Sequence, residues 1–280
     1  MSDFPKVCVT IGASAAVGAA GIQADLKTFT ALSCYGAAAV TAIAAQTFAG
    51  IQEVEPVSDR MLRAQLDAIA AALPVAAVKV GLCSTAGTVR VISRWLAGLP
   101  RVPVVVDPVV ADSRGIALQQ PETIKAVCEE LLPRATVATP NRFEAAALAG
   151  MEECLSVEDM EAAARLLSRR HGCAVVVTGG GLSGRTLDVL AAMDGISHFD
   201  GPTHPRGKVS GIGCTHAAAV AAGLAKGDDL RDALLNAKLY VGAAILAAPQ
   251  LPDGRPVLWH GVTVREQVIV DPTTGPVRPD

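Results

Sequence analysis

Apolar residues along this chain follow two alternating patterns. Short, nearly continuous runs rich in valine end in glycine, proline or a polar residue: Val7 to Gly12 (VCVTIG), Val75 to Gly81 (VAAVKVG), Val102 to Pro108 (VPVVVDP) and Cys173 to Gly181 (CAVVVTGGG). Runs of this length and branching predict strands buried on both faces. Tyr35 to Gln46 (YGAAAVTAIAAQ) and Thr136 to Asn141 (TVATPN) read as two more. Between the strands lie stretches with helical spacing, Gly21 to Leu32, Ser58 to Leu73, Thr85 to Leu96 and Arg142 to Leu148, the second opening on a serine suited to cap it. Thr186 to Asp200 predicts a hairpin turning at Asp194-Gly195.

Strand and helix in alternation predict an α/β fold: a mostly parallel sheet with helices on both faces and an antiparallel edge from the hairpin. In such sheets ligands gather at the carboxyl ends of the strands. Polar and glycine punctuation falls there, at Gly12, Gln46, Gly81, Asp107, Asn141 and Gly179 to Gly181. No linker or repeat divides the chain, so a single domain over residues 1–262 is expected, with 263–280, ending in DPTTGPVRPD, as a loose tail.

Composition narrows the partners. The chain has 280 residues and a formal net charge of -3, with no basic block to grip nucleic acid. Its apolar stretches are too short and interrupted to cross a bilayer, and its start lacks the pattern of a secretory signal. The seven cysteines are scattered without metal-ligand spacing, which suits a reducing cytoplasm. A small molecule is the expected ligand.

Three segments can carry chemistry. In VSGIGCTHAAAVAAGLAKG, Val209 to Gly227, glycines flank Cys214 just before a helix-forming run. Such a junction aims free N–H groups and the positive end of a helix dipole at one point, fit for a phosphate. The same field lowers the pKa of the Cys214 thiol below its ordinary value of about 8.5. In Ala20 to Gln46, Asp25 sits near a helix start, where an acid complements the dipole, and the Gln46 amide at a strand end can pair with a heterocycle edge. In the third, Asp107 closes a strand and Asn141 with Glu144 opens a helix. Asp107 and Glu144 can hold Mg²⁺ through water, and Asn141 with Glu144 also fits a helix-capping pair.

GIQADLKTFTALSCYG, AIAAQT, VKVGL, VVVDPVV, TPNRFEAAAL, the glycines after VVVT, and GIGCT occur in this order. Together they resemble the hydroxymethylpyrimidine/phosphomethylpyrimidine kinases of thiamine biosynthesis, members of the ribokinase-like superfamily with its three-layer α/β fold, over about Val7 to Ala248. The resemblance implies transfer from ATP, with Mg²⁺, to a pyrimidine alcohol and then to its monophosphate, in an enzyme that is commonly a homodimer. It implies that Gly211, Ile212, Gly213 and Cys214 cradle the transferring phosphate. Gln46, Asp25, Gly12, Leu82 and Val109 would shape the pyrimidine pocket, and Asn141, Thr178 and Gly180 the nucleotide side. Asp107 and Glu144 would organise the metal. Pyridoxal kinase, acting on another flat heteroaromatic alcohol, and a weakened pyrimidine-binding paralogue are the alternatives.

The departures from the family pattern lie on the phosphate side. The first glycine loop, GASAAVGAAGIQAD, lacks the family's aspartate and proline. Thr178 stands where a lysine is usual, removing a cation. Val209, Ser210 and Ile212 replace side-chain donors ahead of Cys214, while Arg114, in ADSRG, is placed to compensate.

Overall fold

The computed structural model describes residues 4–48, 50–110, 118–182, 185–201 and 209–262. Its nine strands form one sheet in the order β3-β2-β1-β4-β5-β6-β7-β8-β9. These are β1 (Val7–Ala15), β2 (Tyr35–Thr47), β3 (Gly50–Pro56), β4 (Val75–Val80), β5 (Val104–Val106), β6 (Val137–Ala138), β7 (Ala174–Leu182), β8 (Arg185–Ala192) and β9 (Gly195–Phe199). The six from β2 to β7 run parallel, while β3 pairs antiparallel with β2, and β8 with both β7 and β9. The expected hairpin thus forms one antiparallel edge, and β3 adds a second at the other side. The tail expected over 263–280 lies outside the described residues.

Helices cover both faces. On one side lie α2 (Asp59–Ala72), α3 (Ala86–Gly98), α5 (Arg142–Ala149) and α6 (Val157–His171), with α4 (Pro121–Ala126) running into a π-helical turn. On the other lie α1 (Gly21–Ala31), α7 (Ile212–Lys226) and α8 (Leu230–Leu246). β3, α4, α6 and α8 have no counterpart among the elements expected from the apolar pattern.

Side chains alternate between the two cores as the pleat requires. Val7, Val9 and Ile11 enter the α2–α3 side, and Cys8 the α7 side. In β4, Val78 and Val80 take the first core while Ala77 takes the second, so Lys79 falls on the α7 face. The alanines Ala217 to Ala222 of α7 are all buried and let this helix pack directly on β1, β4 and β5. That close seat brings the start of α7 over the ends of the central strands, where a reacting group is needed.

Candidate active site

A cavity of about 480 Å³ opens at the carboxyl ends of β1, β2 and β4. Its walls include Gly12, Asp25, Gln46, Leu82, Val109 and Cys214, so the residues expected to shape the pyrimidine pocket surround one space together with the cysteine.

Backbone geometry sets the entrance. α7 starts on Gly211, which has φ of +89° and no side-chain cap. A Cβ there would lie 1.7 Å from the Ala19 carbonyl oxygen, so only glycine lets the loop after β1 and the head of α7 meet. Gly21, φ +63°, is pressed in the same way against the Ala13 carbonyl, at 2.3 Å from a built Cβ. The loop between is tied down by Gln23, which accepts from the Ala15 N–H at 2.9 Å and donates to Ser14 Oγ at 2.7 Å. Lys27 donates to the Gly18 carbonyl at 2.8 Å. Gly213, in the first turn of α7, has open space where a Cβ would point. The first N–H groups of an α-helix have no partner within it, so Ile212, Gly213 and Cys214 present donors here.

Beneath this turn lies a buried polar cluster. Asp25 is the fifth residue of α1, with a first turn that holds no acid, and it is fully buried toward the sheet. The expectation that it complements the helix dipole is therefore corrected. Its Oδ2 accepts from Thr10 Oγ1 at 2.6 Å and from Lys79 Nζ at 3.0 Å, while Oδ1 has no partner. Lys79, 1% exposed, is also 3.7 Å from Asp107 Oδ2. Asp107 and the Gly21 N–H both bear on the Cys214 thiol.

The ionisation of the cluster follows from burial against pairing. Desolvation works to strip the Lys79 proton, but Asp25, the Cys214 sulfur and Asp107 overcome it and hold the pKa above the ordinary lysine value. Burial raises Asp25 and Asp107, with Lys79 opposing in both. Cys214 is pushed up to about 12, by burial first and then by Asp107 and Asp25, against the pull of Lys79. The expected lowering of this thiol is thus overturned. A helix N-terminus offers about half a charge, which does not offset desolvation and two neighbouring carboxylates. At neutral pH Cys214 is a thiol that donates.

The nucleotide-side residues sit further along the same sheet edge and do not line this cavity. Asn141 and Glu144 form a capping box on α5: Asn141 Oδ1 accepts from the N–H groups of Phe143 and Glu144 at 2.9 and 3.0 Å, and Glu144 Oε2 accepts from the Asn141 N–H at 2.8 Å. Thr178 bridges to Asn141 across β7 and donates its N–H to the Pro140 carbonyl at 2.9 Å. Gly180 lies two residues beyond on β7. Arg114 lies outside the described residues. No cluster of three or more histidine, cysteine, aspartate or glutamate side chains able to cage a metal occurs among the described residues. Asp107 suits an ion that takes most of its ligands from phosphate and water, as Mg²⁺ does.

Lys79 and Thr10 were absent from the residues the sequence singled out. A lysine in the otherwise apolar run VAAVKVG was the available signal, because a charge inside a covered strand must find an opposite one.

A parallel sheet with a strand-end cavity, an uncapped helix start above it and buried carboxylates below defines a phosphotransferase for small molecules. Comparison places it more closely. The model of the phosphomethylpyrimidine kinase family matches residues 16–258, and the chain belongs to that family and is a kinase. It is 42% identical over 257 residues to the hydroxymethylpyrimidine/phosphomethylpyrimidine kinase of Rhizobium meliloti (strain 1021), covering 89% of this chain and 94% of that one. Among solved structures it resembles an ADP complex of Bacillus subtilis pyridoxal kinase, with a TM-score of 0.85 and 35% identity over 91% of this chain and 97% of the other. It also resembles the phosphomethylpyrimidine kinase of Clostridium difficile 630, with a TM-score of 0.76 and 31% identity over 85% and 99%.

Proposed function

We propose that the chain transfers the γ-phosphoryl group of ATP to the hydroxyl of 4-amino-5-hydroxymethyl-2-methylpyrimidine, and then to the resulting monophosphate, in thiamine biosynthesis. The observation that carries this reading is the convergence on one cavity of Gln46, the partnerless oxygen of Asp25 and the Cys214 turn. An amide offers donor and acceptor together, and a carboxylate oxygen an acceptor, a set suited to an aminopyrimidine. Gly12, Leu82 and Val109 supply the apolar walls.

The acceptor hydroxyl attacks the γ-phosphorus as the bond to the bridging oxygen of ADP breaks. The transition state is loose, so positioning and charge stabilisation outweigh the need for a strong base. The N–H groups of Ile212, Gly213 and Cys214 receive the equatorial oxygens, and Gly211 gives them their direction. Cys214, being protonated, accepts a hydrogen bond at its sulfur from the acceptor hydroxyl and does not take its proton, which passes to an oxygen of the transferred phosphoryl group as the new P–O bond forms. Mg²⁺, when bound, neutralises the phosphate oxygens. Asp107 would hold it, with Glu144 reaching it through water from the capped start of α5. Asn141, Thr178 and Gly180 lie where the strand order continues away from the acceptor pocket, which suits contact with the nucleotide.

Residues 1–262 act as one kinase unit in this reading, in the cytoplasm, where the seven free cysteines suit a reducing medium. No helix of the described residues is long and apolar enough to cross a membrane. Exposed Ile43, Ile51 and Val54 on the β2–β3 ribbon favour a homodimer.

Pyridoxal kinase is the second reading, favoured by the higher TM-score to the Bacillus subtilis enzyme. ATP-dependent phosphorylation of the pyrimidine alcohol and of pyridoxal, followed by mass and by ADP release, separates the two. Under the leading reading the pyrimidine has the higher kcat/KM, and Gln46→Ala lowers it by about 10²-fold. Preference for pyridoxal would overturn it. Binding of the pyrimidine without ATP consumption would identify a non-catalytic paralogue.

A further inference from the structure

We infer that Lys79 is a positioning residue for the phosphoryl acceptor: its ammonium locks Oδ2 of Asp25 in place and so presents Oδ1 to the cavity as a fixed acceptor for a ring-borne donor. The inference rests on the reading of the cavity as the acceptor site and adds the group that shapes it.

The geometry argues for more than structural pairing. Lys79 is buried in a central strand whose neighbours Val78 and Val80 are core residues, a place where packing alone favours an apolar side chain. Its Nζ and the Thr10 hydroxyl both donate to the same oxygen of Asp25, leaving the other oxygen buried without a partner beside the cavity. A buried carboxylate oxygen left bare is costly unless a ligand supplies the missing donor. An ion pair serving stability alone would be expected to satisfy both oxygens. Gly81 leaves the room that the ammonium occupies, because a Cβ there would lie 2.9 Å from Nζ. Lys79 reaches Asp107 on its other side, at 3.7 Å, and lines the same cavity as Cys214. One cation therefore sets the spacing between the group that reads the ring and the group that meets the hydroxyl.

The test measures KM for the pyrimidine alcohol and for ATP in wild type, Lys79→Gln, the charge-balanced pair Lys79→Met with Asp25→Asn, and Gly81→Ala, which keeps every charge but pushes on Nζ. KM does not depend on the folded fraction, so mere destabilisation cannot imitate a positioning effect. The expected result is a rise of at least about tenfold in acceptor KM in each variant that folds, with the ATP KM within about threefold of wild type. The balanced pair is expected to fold more readily than Lys79→Gln, because it leaves one buried carboxylate, Asp107, without its cation where Lys79→Gln leaves two. Gly81→Ala decides where neither does. An acceptor KM within about threefold of wild type in any folded variant overturns the inference. Calorimetric titration of the alcohol without nucleotide separates this failure from that of the functional reading. Binding by wild type that is lost in the variants keeps Lys79 in its role even where no phosphate moves. Equal binding by all of them removes that role even where it does. A wild type that neither binds nor phosphorylates the alcohol overturns both.

Discussion

The Cys214 thiol is partly buried at the wall of the cavity, and its pKa of about 12 makes it a poor nucleophile. At pH 8 a thiol of that pKa is ionised to about one part in 10⁴, against about a quarter for an ordinary thiol of pKa near 8.5. The fraction alone predicts alkylation slower by on the order of 10³. The more basic thiolate is intrinsically more nucleophilic, with a Brønsted slope of about 0.45, which returns roughly 40-fold. The net expectation is that iodoacetamide labels Cys214 about 50- to 100-fold more slowly than the same residue in urea, in enzyme free of nucleotide and metal. The rate should also rise nearly tenfold per pH unit up to pH 10. Site-resolved mass spectrometry after timed quenching reads both. Labelling at pH 8 within about threefold of the denatured rate would refute the raised pKa, and a rate that no longer climbs above pH 8 would mark a helix-activated thiolate that could serve as base.

Two substitutions in the same turn should separate shape from function. Gly211→Ala sets a methyl 1.7 Å from the Ala19 carbonyl at φ +89° and should lower Tm by several degrees, whereas Gly213→Ala meets nothing within 4 Å and should leave Tm within about 1 °C while slowing kcat by filling the phosphate space. Equal Tm losses in the two would contradict the geometry. His260 is buried against Thr215 and Tyr240, and burial lowers its pKa from 6.5 to about 4. Its neutral form belongs to the fold, so its contribution is complete above pH 6.5 and is lost as pH falls toward 4; at about 1.4 kcal/mol per pH unit the gap amounts to about 3 kcal/mol. Urea titrations from pH 7 to 4 should show His260→Gln losing less stability than wild type over that range, and parallel curves would refute the assignment.

The strands and the helices that cover them were legible because burial writes itself locally: VVV in β5 and the serine before α2 need no distant partner to be read. β3 was not legible, since six of its seven positions, from Ile51 to Pro56, are exposed and no inward face imposes a pattern. α6 was legible in principle, for Ser156 and Asp159 form a capping box of the expected spacing. Among the candidate site residues, Gln46 and Gly12 could be placed at the cavity by the rule that ligands gather at strand ends, and Cys214 by its glycine turn at a helix start. The ionisation of Cys214 could not, because the glycines and helix around it are local in sequence while the burial and the carboxylates that raise its pKa come from the fold, Asp107 just beyond β5 and Asp25 on α1. Asp25 failed for a related reason. Its spacing from the glycines suggests a helix start, but only the folded sheet shows that this face of α1 looks at Thr10 and Lys79. Asn141 and Glu144 satisfied the capping pattern that local sequence allows, and their distance from the acceptor cavity emerged only with the strand order.

The placement of charge also explains why loss of the usual lysine at Thr178 does not by itself disable the fold. Lys79 is the only cation among the described residues lining the cavity, and it is committed to Asp25 and Asp107. Little of its charge remains for a phosphoryl group above. In the proposed reading, stabilisation there comes from the N–H groups at the head of α7 that have no partner within the helix, worth about half a positive charge, and from the metal that Asp107 would hold. Those N–H groups need no particular side chain, so the chain can carry valine, serine and isoleucine ahead of Cys214 provided Gly211 keeps its left-handed turn against Ala19. Side chains on the phosphate side are thus free to vary in a way that Lys79 is not, because a neutral replacement there leaves two carboxylates buried without their cation.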